Sequence, residues 1–373
     1  MFPFKKYSIS NYDFSIMTLV IILSSIGIYL VRIVNEAFFL KHLMGLVLGV
    51  FILVFVSLVD YHFISQFYII LYFINLILLA AVRLIGVEHY SAKRWLDLKV
   101  FEFQPSELTK IILIIFMAKL LVIFKEKMNK FYVFFLLTAL IGIPTFLVFI
   151  QPHLSTTLVI LFIFAIMIFV GGLSLKIILP ILLVTIPIVA GTLWGIQNHY
   201  DIFFLTDYHQ NRIEAYLNPE ADTSSDTLYQ QENSVEVIGS GKLTGKLFSE
   251  GKDAIQSDTY VPVAESDFIF SVASESLGFL GSCAIIVLLS IIIFKCLIIA
   301  SHAPDRLGRM IATGISAMFV FQMFVNIGVA TAILPNTGIP LPFVSYGLSS
   351  MMSSMISIGI IININLQRKY RRG

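Results

Sequence analysis

The chain has 373 residues, of which 58% are hydrophobic and only 13% charged, with a mean hydropathy of +0.90 and a formal net charge of +2. A soluble globular domain carries about 25% charged residues, so this composition excludes a soluble enzyme and points to an integral membrane protein. Cys283 and Cys296 are the only cysteines; both fall in one apolar run, too far apart on one helix to bond, so neither a disulfide framework nor a cysteine metal site is expected.

A spanning helix needs about 20 mostly apolar residues. Ten runs qualify, at roughly 13–34, 40–59, 66–85, 106–124, 131–150, 154–172, 174–195, 267–297, 307–333 and 343–366. The first, from Phe14 to Val34, lacks a small-residue cleavage site and reads as a signal anchor. Backbone groups in lipid must be satisfied internally, so the expected fold is all-α: a polytopic bundle of about ten transmembrane helices. The organisation is 1–195 with seven spans, a long extracellular loop at 196–266 between helices 7 and 8, and 267–373 with three spans and a basic cytoplasmic tail.

Orientation follows from lysine and arginine in short loops. With the N-terminus inside, the cytoplasmic segments hold Lys5, Lys6, Lys125, Lys127, Lys130, Lys176, Lys295, Arg306, Arg309, Arg368, Lys369, Arg371 and Arg372. The short outer loops hold Lys41, Lys93, Arg94 and Lys99. The even number of spans returns the C-terminus inside. The loop 196–266 is acidic and long enough to expect function or disorder; Tyr208–Leu217 and Tyr229–Ile238 read as short amphipathic helices at the membrane surface.

Ionisable groups within or at the mouths of spans are expensive and mark candidate sites. Glu107 and Lys110 lie three apart on one helix face behind Pro105. They are either an internal ion pair or, with Arg94, the wall of an outward polar cavity that attracts an anion. His153 after Gln151-Pro152 is either a polar cap or a proton sensor. Asp267 stands where the long loop enters a span. It is either a helix-start charge favoured by the dipole, with Ser266 as cap, or a catalytic carboxylate. Glu275, two turns deeper, is beyond the dipole and needs its own partner. Between Leu334 and Ser350, three prolines and two glycines break the backbone at membrane depth, which fits a tight outer turn or a cavity-lining segment. Walker loops, dinucleotide fingerprints, metal-ligand clusters and nucleophile elbows are absent, and nothing points to nucleic acid.

Several motifs occur together: Arg94-Trp-Leu, Gln104-Pro-Ser-Glu-Leu-Thr-Lys110, Gln151-Pro, Arg212-Ile, Asn218-Pro-Glu-Ala-Asp222, Tyr229-Gln230, Gly239-Ser-Gly, Ser266-Asp-Phe-Ile-Phe270, Leu277-Gly-Phe-Leu-Gly281, and Asn326-Ile-Gly through Pro340-Leu-Pro-Phe-Val-Ser-Tyr-Gly347. In this order and spacing the chain resembles the SEDS proteins (shape, elongation, division and sporulation) of the RodA/FtsW type, along nearly its whole length.

The resemblance implies a peptidoglycan glycosyltransferase that polymerises lipid II on the outer face of the bacterial cytoplasmic membrane, beside a class B penicillin-binding protein as transpeptidase. It places the essential aspartate on Asp267 and substrate-binding positions on Arg94, Glu107, Lys110, Arg212, Tyr229, Gln230, Lys246, Glu275 and Ser345. Asp267 is then a general base toward a sugar hydroxyl. Leaving-group charge is taken by a divalent cation such as Mg or Mn, or by Lys110, Arg94 and Arg212. The sequence departs from the family pattern at His153, Glu265, Leu247 and Ser276, where Gln-Pro-Asp, a histidine, a Gly-Lys-Gly turn and a second glutamate are usual; Gly-Gly-Ser-Ser becomes Gly347-Leu-Ser-Ser350. Rival readings are a flippase or carrier for a lipid-linked precursor and a non-catalytic scaffold for a transpeptidase.

Overall fold

The computed structural model describes the chain outside residues 1–6, 8, 90–91, 98, 100–101, 152, 201, 203–204, 206–209, 211–212, 215, 218–225, 258–260 and 369–373. The helices follow the apolar runs closely. They are α1 (Phe14–Val34), α2 (Glu36–Leu58), the short α3 (Tyr61–Gln66), α4 (Tyr68–Ile85), α5 (Pro105–Ile123), α6 (Phe131–Ile150), α7 (Leu154–Val170), α8 (Leu175–Gln197), α9 (Asp226–Ser240), the single-turn α10 (Lys246–Ser249), α11 (Ile269–Ser301), α12 (Arg306–Ala330) and α13 (Leu348–Leu366). Among the described residues, eight of these are long and apolar enough to cross a membrane, with α7 a shorter apolar helix. The remaining long one is α5, whose interior carries Glu107, Lys110 and Lys119. The protein is a polytopic helical membrane protein.

Caps set several boundaries. Asp13 accepts from the Ile16 amide, Asn35 from Ala37, Asp60 from His62, and Asp305 from Gly308; such caps satisfy amides that have no partner inside the helix. Pro105 opens α5, where its missing N–H costs nothing. One local departure from the all-helical expectation is a small antiparallel sheet between α4 and α5, in the order β1 (Val87–His89), β2 (Ala92–Asp97), β3 (Glu102–Phe103). The stretch is too short and polar to span, and pairing satisfies its backbone near the membrane surface.

The centre of the bundle is built from α5, α12 and α13, which bury residues around most of their circumference. The α2 helix packs along α13, α11 along α12, and α7 against α12 and α5. Small residues permit these approaches. A Cβ on Gly49 would lie 2.9 Å from the Met355 side chain, and one on Gly359 would lie 2.8 Å from the Leu53 carbonyl oxygen. In lipid such close packing is a main source of helix association. By contrast, α8 is almost wholly exposed and presents Leu179, Leu183, Ile186 and Ile188 outward.

The chain crosses back and forth, so one end of the bundle gathers the sheet, the long loop and the 331–347 connection. At that end, α9 packs on α11 and α12. Gln231 donates to the Val329 and Leu334 carbonyls at 3.1 and 2.8 Å, and the Ser234 hydroxyl donates to the Ala330 carbonyl at 2.7 Å. The expected helix at Tyr229–Ile238 is therefore real, but it rests on the bundle. Of Tyr208–Leu217, residues 208–209, 211–212 and 215 lie outside the described residues, and the described ones are helical.

Candidate active site

Asp267 does not start a helix. The cap of α11 is Phe268, no side chain caps it, and the first turn holds no acid. Ser266 instead donates to the Asp267 carboxylate at 3.2 Å. Ser266 therefore does not cap α11 and Asp267 lies outside its first turn, because the cap position falls on Phe268.

That turn is pinned through three consecutive carbonyls. The Tyr346 amide donates to Glu265 O at 2.9 Å, the Ser345 hydroxyl to Ser266 O at 2.5 Å, and the Asn326 side chain to Asp267 O at 2.9 Å. Asn326 also donates to Ile339 O at 2.7 Å, and Ser345 accepts from the Leu341 amide at 2.8 Å. The proline-rich segment is therefore a buried, irregular strap laid against the aspartate turn. Ile339, Leu341, Phe343, Val344 and Ser345 are all buried. Val263 and Phe343 both hold positive φ, at 59° and 67°. For bulky residues this conformation costs on the order of 1–3 kcal/mol and persists only when the surroundings impose it. The strain sits on both sides of the same junction.

Glu265 is partly buried beside Asp267. Burial, and then the neighbouring Asp267 charge, pushes its carboxyl above the usual range. Tyr346 connects this turn to α2: its ring stacks on Phe38 with centroids 4.6 Å apart and meets His42 edge-on at 5.6 Å.

The other expected positions separate into groups. Glu107 and Lys110 form an ion pair of 2.7 Å inside the bundle, with side-chain exposures of 4% and 2%. The second Glu107 oxygen accepts from Ser353 of α13 at 2.9 Å. Lys110 borders a small cavity whose other walls, Leu113, Met117, Ile141, Ile160, Ile163 and Phe164, are apolar. The internal-pair reading describes this geometry, and an outward anion funnel built on Lys110 does not. Arg94 is half-buried on β2. Arg212 lies outside the described residues.

Lys246 and Glu275 find each other, at 2.6 Å, and Glu275 also accepts from the Gln256 and Ser257 amides at 3.0 and 2.9 Å. Both oxygens of this fully buried carboxylate are thus occupied by the loop. Three residues on, α11 is interrupted at Gly278, with φ 69°. The Lys242 and Leu243 carbonyls accept the Phe279 and Leu280 amides there, at 2.9 and 3.2 Å. A Cβ on Gly278 would lie 2.6 Å from the Leu243 oxygen, so glycine is required. Tyr229 is exposed, while Gln230 accepts from Asn336 at 2.9 Å. His153 is buried between the Ser106 and Thr156 hydroxyls, each 3.3 Å from a ring nitrogen.

Sequence reasoning did not single out Asn326 for a role, although it lies in a quoted motif. Its signal was an amide side chain near the end of an apolar run, where a buried donor needs acceptors. Among the described residues, no group of three or more His, Cys, Asp or Glu side chains is arranged to hold a metal ion. Among those residues the expected divalent cation has no such donor set.

Residues 7–370 match the cell cycle protein family FtsW/RodA/SpoVE. The chain belongs to this family. The peptidoglycan glycosyltransferase MrdB of Escherichia coli is 34% identical over 302 residues, covering 80% of this chain and 78% of its own. The FtsW of Trichlorobacter lovleyi is 32% identical over 379 residues, covering 97% of this chain and 95% of its own. Among solved structures, a chain from a peptidoglycan synthase complex that coordinates polymerization and crosslinking superposes with a TM-score of 0.80 at 25% identity, covering 96% of this chain and 99% of that one. The rod shape determining protein RodA of Thermus thermophilus gives a TM-score of 0.69 at 24% identity, over 96% of this chain and 98% of that one. The helical bundle is thus shared with these solved structures.

Proposed function

We propose that Asp267 is the general base of this chain, a peptidoglycan glycosyltransferase that extends glycan strands from lipid II. The observation that carries the assignment is the three-carbonyl anchorage of residues 265–267, which fixes a carboxylate that caps no helix. A neutral sugar hydroxyl is a weak nucleophile, and a positioned carboxylate contributes about 10²–10⁴-fold by taking its proton. The hydroxyl oxygen then bonds the anomeric carbon of the donor. The bond from that carbon to the polyprenyl pyrophosphate breaks, and its electron pair leaves on phosphate oxygen. A single displacement inverts the anomeric centre. Pyrophosphate departs as an anion and needs no general acid, but its charge requires stabilisation. Lys110 is enclosed with Glu107 inside the bundle, which leaves Arg94 and Arg212 as the candidate cations on this chain.

The arginine and lysine bias supports an orientation with both termini cytoplasmic and Asp267 on the outer face of the cytoplasmic membrane. The undecorated apolar tail of the donor stays in the bilayer while its head group reaches the loop end. The likeness to a chain of a complex that joins polymerization to crosslinking supports a class B penicillin-binding protein as partner.

Purified protein given labelled lipid II tests the assignment. Asp267→Asn and Asp267→Ala lose glycan polymer while staying folded. Full polymerisation by either variant rejects the base role, and lipid II translocation without polymer in liposomes would favour a carrier.

A further inference from the structure

Of the three bonds that hold the aspartate turn, the one to Asp267 itself comes from a membrane helix. Asn326 lies in the last full turn of α12 and is 1% exposed. Both hydrogens of its amide nitrogen are used, one on Asp267 O at 2.9 Å and one on Ile339 O at 2.7 Å. Its amide oxygen, Oδ1, is buried with no described hydrogen-bond partner. A buried orphan acceptor is unfavourable, and a side chain serving packing alone has no reason to keep one. Flipping the amide would turn that oxygen toward two carbonyls, so the orientation is fixed by the two donated bonds. Those bonds tie three elements together: the rigid helix, the catalytic turn and the proline-rich strap.

We propose that Asn326 is a positioning residue of the reaction, holding Asp267 in its reactive orientation by bridging the Asp267 and Ile339 carbonyls. The inference rests on the reading of Asp267 as base. Sites carried on helices are held more tightly than sites carried on loops, and a displacement of about 1 Å costs about 10²-fold in rate. The strained φ angles at Val263 and Phe343 give both loops a conformation to relax toward once the bridge is cut. Of the charged groups around the turn, Glu265 and Glu102 of β3 act on Tyr346 of the strap, and Asp267 acts on Glu265.

Steady-state polymerisation by the full-length protein, with labelled lipid II, decides the matter across three variants. Asn326→Leu removes both donors and is expected to lower kcat by about 10–100-fold with little change in KM. Asn326→Asp is nearly isosteric. Its protonated form carries one O–H donor and its ionised form none, so its activity falls as pH rises across a range where the wild type is flat. A purely structural asparagine would not produce that profile. Wild-type kcat in a folded Asn326→Leu protein, or an Asn326→Asp profile parallel to wild type, overturns the inference. The Asn326→Asp profile alone decides if the leucine variant does not fold. Asp267→Asn run alongside separates the two claims. Its full activity would reject the base reading, whereas an inactive Asp267→Asn with wild-type Asn326 variants would reject only the bridge.

Discussion

Glu275 and Lys246 meet at 2.6 Å where the long loop crosses α11, with the carboxylate fully buried and the lysine side chain 14% exposed. The pair sits directly before the helix break at Gly278, whose freed amides are taken up by the same loop. The loop is therefore a structural part of the eighth span rather than a separate flap over it.

Removing one partner of a buried pair leaves an uncompensated charge and costs about 3–5 kcal/mol, while replacing both partners costs far less. Lys246→Met is expected to lower the thermal midpoint of the detergent-solubilised protein sharply, and Lys246→Met with Glu275→Gln to recover most of the loss. An unchanged midpoint in the single variant, with a raised KM for lipid II, would instead make Lys246 a substrate contact.

In the pair inside the bundle, the second partner of Glu107 is a side chain, the Ser353 hydroxyl, whereas Glu275 has backbone amides. A hydrogen bond to a charged group contributes about 1.5–3 kcal/mol. Ser353→Ala is expected to destabilise the protein by about that amount and to leave KM for lipid II unchanged. A KM effect without a stability effect would bring Glu107 back into contact with substrate.

Glu265 lies beside Asp267, and burial with the Asp267 charge raises its pKa. The coupling runs both ways: a negative Glu265 also makes Asp267 harder to ionise. Glu265→Gln is therefore expected to move the acid limb of the kcat/KM profile to lower pH. A group whose folded pKa is raised costs stability as pH climbs from its ordinary value, about 4.3, through the folded one. The same variant thus gains stability at neutral pH. An acid limb that stays in place would show that the two carboxyls act independently.

At the opposite end of the bundle His62 lies between two carboxylates, 2.9 Å from Asp60 and 2.5 Å from Asp305. Only the doubly protonated ring donates to both. The Asp305 bond, partly offset by burial, raises the His62 pKa. For Asp60 and Asp305, burial opposes ionisation but donated hydrogen bonds outweigh it and lower both values. The His62 contribution is complete below its unfolded pKa of about 6.5 and disappears as pH rises through the higher folded value. The aspartate contributions are present above about 3.9 and disappear as pH falls through the lowered folded values. Thermal midpoints are expected to decline on the alkaline side of neutrality, and Asn at position 62 to remove that decline. The step is below about 1 kcal/mol, since partly exposed pairs are screened. A parallel decline in both proteins would place the titrating group elsewhere.

Much of this molecule was legible in one dimension. Apolar runs of spanning length give helices because lipid leaves the backbone no other partner. The start of α5 coincides with Pro105, and the predicted runs 131–150 and 154–172 end within two residues of α6 and α7. Asp267 was visible as an acid at a span mouth, though spacing alone favoured a capping role that the cap at Phe268 removes. The Lys246–Glu275 pair was not legible, since 29 residues of loop separate them and nothing in hydropathy reports how a loop folds back. The β-sheet was missed because its strands are two to six residues long, too short to show alternation.

The sequence by itself determined the class, the ten apolar runs and the identity of the acid at the mouth of the eighth, because these follow from local composition and from chemistry borne by single side chains. Only the tertiary structure decided which polar groups serve one another. Glu107 closes on Lys110 and Ser353, Glu275 on Lys246, and the carbonyls of Glu265, Ser266 and Asp267 on Tyr346, Ser345 and Asn326. Those pairings depend on how distant helices and loops pack, and burial makes each one obligatory only after that packing is set.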